Sequence, residues 1–150
     1  MSAINKKTTI NFNKEILFGE LGALACAPLT SYIASHFTSN VKFISLSAVI
    51  GAIAGGTIFW LSMRIHDKGI EKRLSVRGIA DDIRYFTPAA FLLTLLVYYP
   101  TLFFVSLDLL SKQNKVLSSI IFSQITAFFF FLLMINAYRY ILAKLYGKVL

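Results

Sequence analysis

The sequence predicts an all-α integral membrane protein, a four-transmembrane-helix bundle with both termini on the cytoplasmic side. A short interfacial helix is expected between the second and third spans. Three observations carry this expectation. Four long apolar runs occupy most of the 150 residues. Hydrophobic residues make up 57% of the chain and charged residues only 15%, which leaves too little polar surface for a soluble domain of this length. The basic residues lie mainly on one side of the apolar runs, as the positive-inside rule requires of a spanning chain.

The first span is expected at about residues 16–37, interrupted by Glu20 and a few small polar residues. The second is expected at 43–63, the third at 88–110 and the fourth at 116–142. Each supplies the roughly 20 apolar residues needed to cross about 30 Å of hydrocarbon. Together they form one transmembrane domain over residues 1–150. Thr87 and Pro88 suit the N-cap and first turn of the third span. Pro100 falls inside it and should kink the helix, because its nitrogen has no hydrogen for the ladder.

The loops define an orientation. Lys6, Lys7 and Lys14 precede the first span, and Arg64, Lys68, Lys72, Arg73, Arg77 and Arg84 lie around the middle connection. Arg139, Lys144 and Lys148 close the fourth span, so these twelve share one face with both termini. The opposite face holds only Lys42, Lys112 and Lys115. This asymmetry puts the termini in the cytoplasm, and the expected location is the plasma membrane. A cleaved signal peptide would need Ala23-Leu24-Ala25 as its small-residue site. Glu20 breaks the would-be apolar region and the apolar run continues past Ala25, so the first span is expected to stay as an anchor.

The middle connection, residues 66–84, carries Ile70, Leu74, Ile79 and Ile83 among charged residues. That spacing suits a short amphipathic helix at headgroup level, although Gly69 and Gly78 weaken it. Arg64, Arg73, Arg77 and Arg84 are expected to meet anionic lipid headgroups. The net charge of +8 is explained by that attraction, and nucleic acid is not an expected partner. Trp60, Tyr85, Tyr138 and Tyr140 should sit near the same interface.

Small residues recur every four positions on the first two spans. Gly19, Ala23 and Ala27, flanked by Gly22 and Cys26, face a comparable strip of Ser47, Gly51 and Gly55. Such strips let helix backbones approach closely, which drives association where no hydrophobic effect operates between helices. The two spans are expected to pair through a very short outer loop at about 38–42. The alternative is that these strips meet a second copy or another membrane subunit.

Polar groups inside the spans are the candidate sites. Glu20 lies roughly 6 Å along the helix from Ile16 at 1.5 Å per residue. A carboxylate there must be protonated or meet a cation. Asn136 and Arg139 of the fourth span and Arg64 of the second approach the same depth. A Glu20–Arg139 clamp is the plain reading, and a protonatable coupling group is the functional one. At the outer side His36 and Asp108 form a second possible polar site, with too few ligands to suggest a metal. Ser119, Ser123 and Thr126 share one face of the fourth span with Gln124 beside them. These hydroxyls serve as interhelical glue or, with Tyr98, Tyr99 and the Pro100 kink, line a polar cavity. Asp81 and Asp82 are adjacent, which does not aim two carboxylates at one ion.

Cys26 is the only cysteine, so no intramolecular disulfide and no cysteine-based metal site can form within one chain. No nucleophile elbow, P-loop, zincin helix or haem-binding histidine pair occurs, so no cofactor or metal is expected and an enzyme is disfavoured. Four short-looped spans with an acid in the first resemble the small multidrug-resistance exporters. That resemblance covers span count and Glu20 only, the middle loop here is longer and more charged, and no family follows from it. Three functions fit the sequence. The first is a non-enzymatic accessory subunit or homo-oligomer that docks through the small-residue faces. The second is a small transporter or channel that uses Glu20, and the third is a lipid-processing enzyme that grips phosphate with its arginines.

Overall fold

A computed structural model describes the backbone of residues 6–70 and 91–146, with side chains for residue 14, 16–63, 65–66, 91–138 and 140–141. The protein is all-α. The first helix, α1, is Lys6–Phe37, and the second, α2, is Val41–Ile70. The third, α3, covers Phe91–Ser111, and the fourth, α4, is Val116–Tyr146. All four are long and apolar enough to cross a membrane, over Ile16–Phe37, Val41–Met63, Phe91–Ser111 and Val116–Tyr138. The chain is therefore a small polytopic membrane protein. The expected interfacial helix falls at 66–84. Its first residues continue α2 to Ile70, and the remainder lies outside the described residues with Thr87 and Pro88.

The helices are joined into two antiparallel hairpins. Between α1 and α2, Thr38 N–H still reaches the Ala34 carbonyl at 3.0 Å. Asn40 then starts α2 by accepting from the Lys42 and Phe43 N–H groups at 3.0 and 3.4 Å, the role of an N-cap. The α3–α4 turn is equally tight, and Gln113 adopts a left-handed φ of 60° there. Packing makes a four-cornered bundle in which α1 touches α2 and α4, and α3 touches the same two helices.

The α1–α2 hairpin is the closest-packed part. A methyl group built on Gly22 would collide with the Gly55 carbonyl, and one on Gly55 would collide with that of Gly22. On Gly51 it would stand 2.7 Å from the Cys26 carbonyl. The seam thus runs along Gly22, Cys26 and Thr30 against Gly55, Gly51 and Ser47. Gly19 is looser, 3.2 Å from the Trp60 Cβ. Ala23 and Ala27 are buried with Ala48 and Ala52 in the core. Hydroxyls bind the loop half of this hairpin. Thr30 Oγ1 lies 2.8 Å from the Ser47 carbonyl, and Ser31 donates to the Ile44 carbonyl at 3.1 Å. Side-chain bonds to backbone across helices hold well where water does not compete.

The α3–α4 hairpin is built from larger side chains. Only 17% of the α3 span is buried within the bundle, against 39% for α1 and α2, so its Phe and Leu side chains mostly face lipid. Within α3 a π-helical turn spans Thr94–Tyr98, and the Tyr99 N–H bonds the Thr94 carbonyl five residues back. The turn ends just before Pro100. A proline ring collides with the carbonyl four residues earlier, and a wider turn moves that carbonyl aside. The distortion expected at Pro100 is therefore placed in the turn before it. Pro28 also lies inside α1.

Because the Gly22–Gly55 approach leaves no room for a methyl group, Gly22→Ala should destabilise the bundle by about 1–3 kcal/mol through overpacking. Gly56, where an added methyl would meet only ordinary contacts at 3.5 Å or more, should accept alanine with little loss. Reversible unfolding in mixed micelles compares the two. Equal tolerance would show that the helices stand further apart than described.

Candidate functional site: a buried carboxyl at an aromatic cavity

Glu20 is 6% exposed, one turn into the apolar part of α1. Its partner is the Tyr98 hydroxyl, which donates to Oε2 at 2.9 Å across 78 positions of sequence. That hydroxyl in turn accepts from Gln124 Nε2 at 2.8 Å. A chain of two hydrogen bonds therefore ties α1 through α3 to α4, beside a hydrophobic cluster of Ala, Leu, Ile and Phe. Tyr98 is held for this task by T-shaped contacts with Tyr99 and Phe131, centroids 5.5 and 6.1 Å apart. It is the last residue of the π turn, so the distortion before Pro100 fixes the direction in which its hydroxyl points.

The second carboxyl oxygen, Oε1, has no hydrogen-bond partner among the described residues. Glu20 borders a cavity of about 230 Å³ between α1, α2, α3 and α4. Its walls include Trp60, Phe91, Tyr98, Tyr99, Phe128 and Phe131, with small residues Gly19, Ala23, Ala52 and Gly56 opening the space between them. Thr57 and Thr94 add hydroxyls. Among the described lining residues no side chain is cationic. A carboxyl within aromatic walls suits a solute that offers a positive charge or a hydrogen-bond donor on an apolar body, since ring faces also attract cations.

The cavity lies at the end of the bundle that holds the start of α1 and of α3. Ile16 lines it from α1 and Phe91 from α3. Trp60 therefore faces the cavity, where the sequence suggested only an interfacial position. Tyr140 is exposed and Tyr138 half-buried, and Tyr85 lies outside the described residues.

The other expected site residues are placed differently. Asn136 is exposed and donates to the Leu132 carbonyl of its own helix at 2.8 Å, so it does not reach Glu20. The side chains of Arg139 and Arg64 lie outside the described ones, as do Arg73, Arg77, Arg84, Asp81 and Asp82 entirely. At the far end His36 Nδ1 lies 2.9 Å from the Tyr32 carbonyl, and the two rings pack edge to face. Asp108 pairs with Lys112 one turn along at 2.6 Å, both largely exposed. The structure accounts for each of these two within its own helix. Among the described residues no group of three metal-ligating side chains occurs.

Sequence reasoning set Glu20 against Asn136 and Arg139 by counting from span ends, and so missed Tyr98 as its partner. The available signal was depth. Tyr98 and Gln124 are the large hydrogen-bonding side chains near the middle of spans three and four, and Pro100 marks where α3 deviates. No protein-family model, curated protein or solved structure matches the chain.

Tyr98→Phe keeps the ring contacts but removes the donor to Glu20 and the acceptor for Gln124. Leaving both buried groups unpaired should cost about 1–3 kcal/mol. Ser62→Ala, which removes an exposed hydroxyl bonded to its own helix, should cost almost nothing by comparison. Parallel denaturation curves in the same micelles decide it, and equal losses would mean that the Tyr98 hydroxyl is not engaged.

Proposed function

We propose that this protein is a small multi-pass carrier whose intramembrane cavity binds an amphiphilic amine, with Glu20 as the coupling group. The observation that carries this reading is the unpaired Glu20 Oε1 at the wall of an aromatic cavity. An ionisable residue within a membrane span is by default a candidate working site, and none of the described residues lining this cavity is cationic. At about 230 Å³ the space is below the ~300–1,000 Å³ usual for drug-sized ligands, so a small solute is favoured. A protonated amine would place its N–H groups on Oε1 and its apolar body against Phe91, Phe128 and Phe131. Release follows when the carboxyl takes up a proton and loses its attraction for the cation.

The charge distribution supports an orientation with both termini cytoplasmic, which places the cavity at the cytoplasmic end, in a plasma membrane with anionic headgroups. The accessory-subunit reading ranks second. Small size and the lack of a catalytic motif motivate it, but the glycine seam that would dock a partner is occupied within the chain by the α1–α2 pairing. Homo-oligomerisation through the lipid-facing surfaces of α3 and α4 remains compatible with a carrier.

Trp60 is the only tryptophan and lines the cavity, so its fluorescence reports occupancy. Benzylamine should change the emission of the reconstituted protein saturably, and benzyl alcohol, of the same shape but uncharged, should do so more weakly. Glu20→Gln should erase the preference for the amine and abolish amine flux in vesicles while the fold persists. Unaltered amine preference and flux in that variant would refute the role of Glu20.

A further inference from the structure

We propose that the half of the bundle away from the cavity is a hydrated polar track, whose water molecules reach the Glu20–Tyr98 pair from the opposite side of the membrane. This extends the carrier reading but does not need its solute. Every helix places a serine in the buried core there: Ser31 of α1, Ser45 of α2, Ser106 of α3, and Ser119 and Ser123 of α4. Three of these hydroxyls bond to backbone carbonyls, Ser31 to Ile44, Ser106 to Phe103 and Ser123 to Ser119. Ser45 and Ser119 have no hydrogen-bond partner among the described residues although they are 0% and 2% exposed. Both stand in the first two turns of their helices, at the end remote from the cavity.

Gln124 continues the series inward. It is fully buried, and among the described residues its Oε1 is also without a partner while its Nε2 holds Tyr98. It lies about 7.5 Å along α4 from Ser119, a distance two or three waters span. Gln124 does not line the cavity, whereas Tyr98 and Glu20 do. The Tyr98 hydroxyl therefore stands between the two compartments, bonded to Glu20 on the cavity side and to Gln124 on the other. Leu102 and Ile120 share this part of the core, so the track is narrow.

Energetics favour water over a dry interior. A buried polar atom without a partner costs about 1–3 kcal/mol, and in lipid no solvent compensates. Ser45, Ser119 and Gln124 together would make the dry arrangement expensive. A water with two to four polar partners satisfies such groups wherever the space between the helices admits one. The track gives Glu20 contact with the far side while the cavity opens on the near side.

Cysteine accessibility tests this on the full chain in lipid vesicles. In a Cys26→Ala background, Ser45→Cys, Ser119→Cys and the lipid-facing control Ile125→Cys are each exposed to a small cationic methanethiosulfonate. Thiolates form only in polar surroundings, so labelling at 45 and 119 should exceed that at 125 by at least about tenfold. Gln124→Leu should slow labelling at 119, and unchanged Trp60 emission verifies folding of each variant. Labelling at 45 and 119 no faster than at 125 overturns the track, and leaves the amine experiment on Glu20 unaffected. Should a cysteine variant misfold, water-to-protein magnetisation transfer to the Gln124 side-chain amide of the native chain decides the same point, its absence counting against the track.

Discussion

The hydrogen bond from Tyr98 to Glu20 joins two halves of the molecule that otherwise have little reason to meet. Between lipid-immersed helices there is no hydrophobic drive, because hydrocarbon solvates a leucine as well as another leucine does. Association has to come from close backbone approach and from polar groups that cannot tolerate lipid. The α1–α2 hairpin uses the first of these at Gly22, Gly51 and Gly55. The α3–α4 hairpin has large side chains and cannot. Its attachment to α1 relies on the second, through Tyr98, Glu20 and Gln124.

That difference explains where the cavity forms. Two closely packed helices with small side chains oppose two with bulky, partly rotated ones, and the surfaces do not match everywhere. Gly19, Ala23, Ala52 and Gly56 present shallow faces to Phe91, Phe128 and Phe131, and a space remains between them. The π turn before Pro100 then fixes where the Tyr98 and Tyr99 rings stand around that space. A site built this way needs no catalytic motif in the sequence. It arises from a mismatch of side-chain size combined with one acid.

The helices were legible in the sequence because their signal is additive over twenty residues, and a misplaced serine or glycine does not alter it. Four helices long and apolar enough to cross a membrane are present, as expected, and a π turn stands just before Pro100. The small-residue strips pointed to close packing of α1 on α2; Gly22 and Cys26 make the closest approach, with Gly19, Ala23 and Ala27 beside them against Trp60, Gly56 and Gly51. Glu20 stood out as an acid in hydrocarbon. Its partner did not, because pairing across 78 positions depends on rotation of α3 about its axis, which the π turn resets by an amount the sequence does not encode locally.

The most direct test is a carbon–carbon correlation spectrum of the protein in lipid bilayers, recorded by solid-state magnetic resonance with labelled glutamate and tyrosine. A cross-peak should join the Glu20 carboxyl carbon to the Tyr98 ring carbon that bears the hydroxyl, and Glu20→Gln should remove it. A spectrum in which the Glu20 carboxyl shows no cross-peak to the Tyr98 ring would contradict the account.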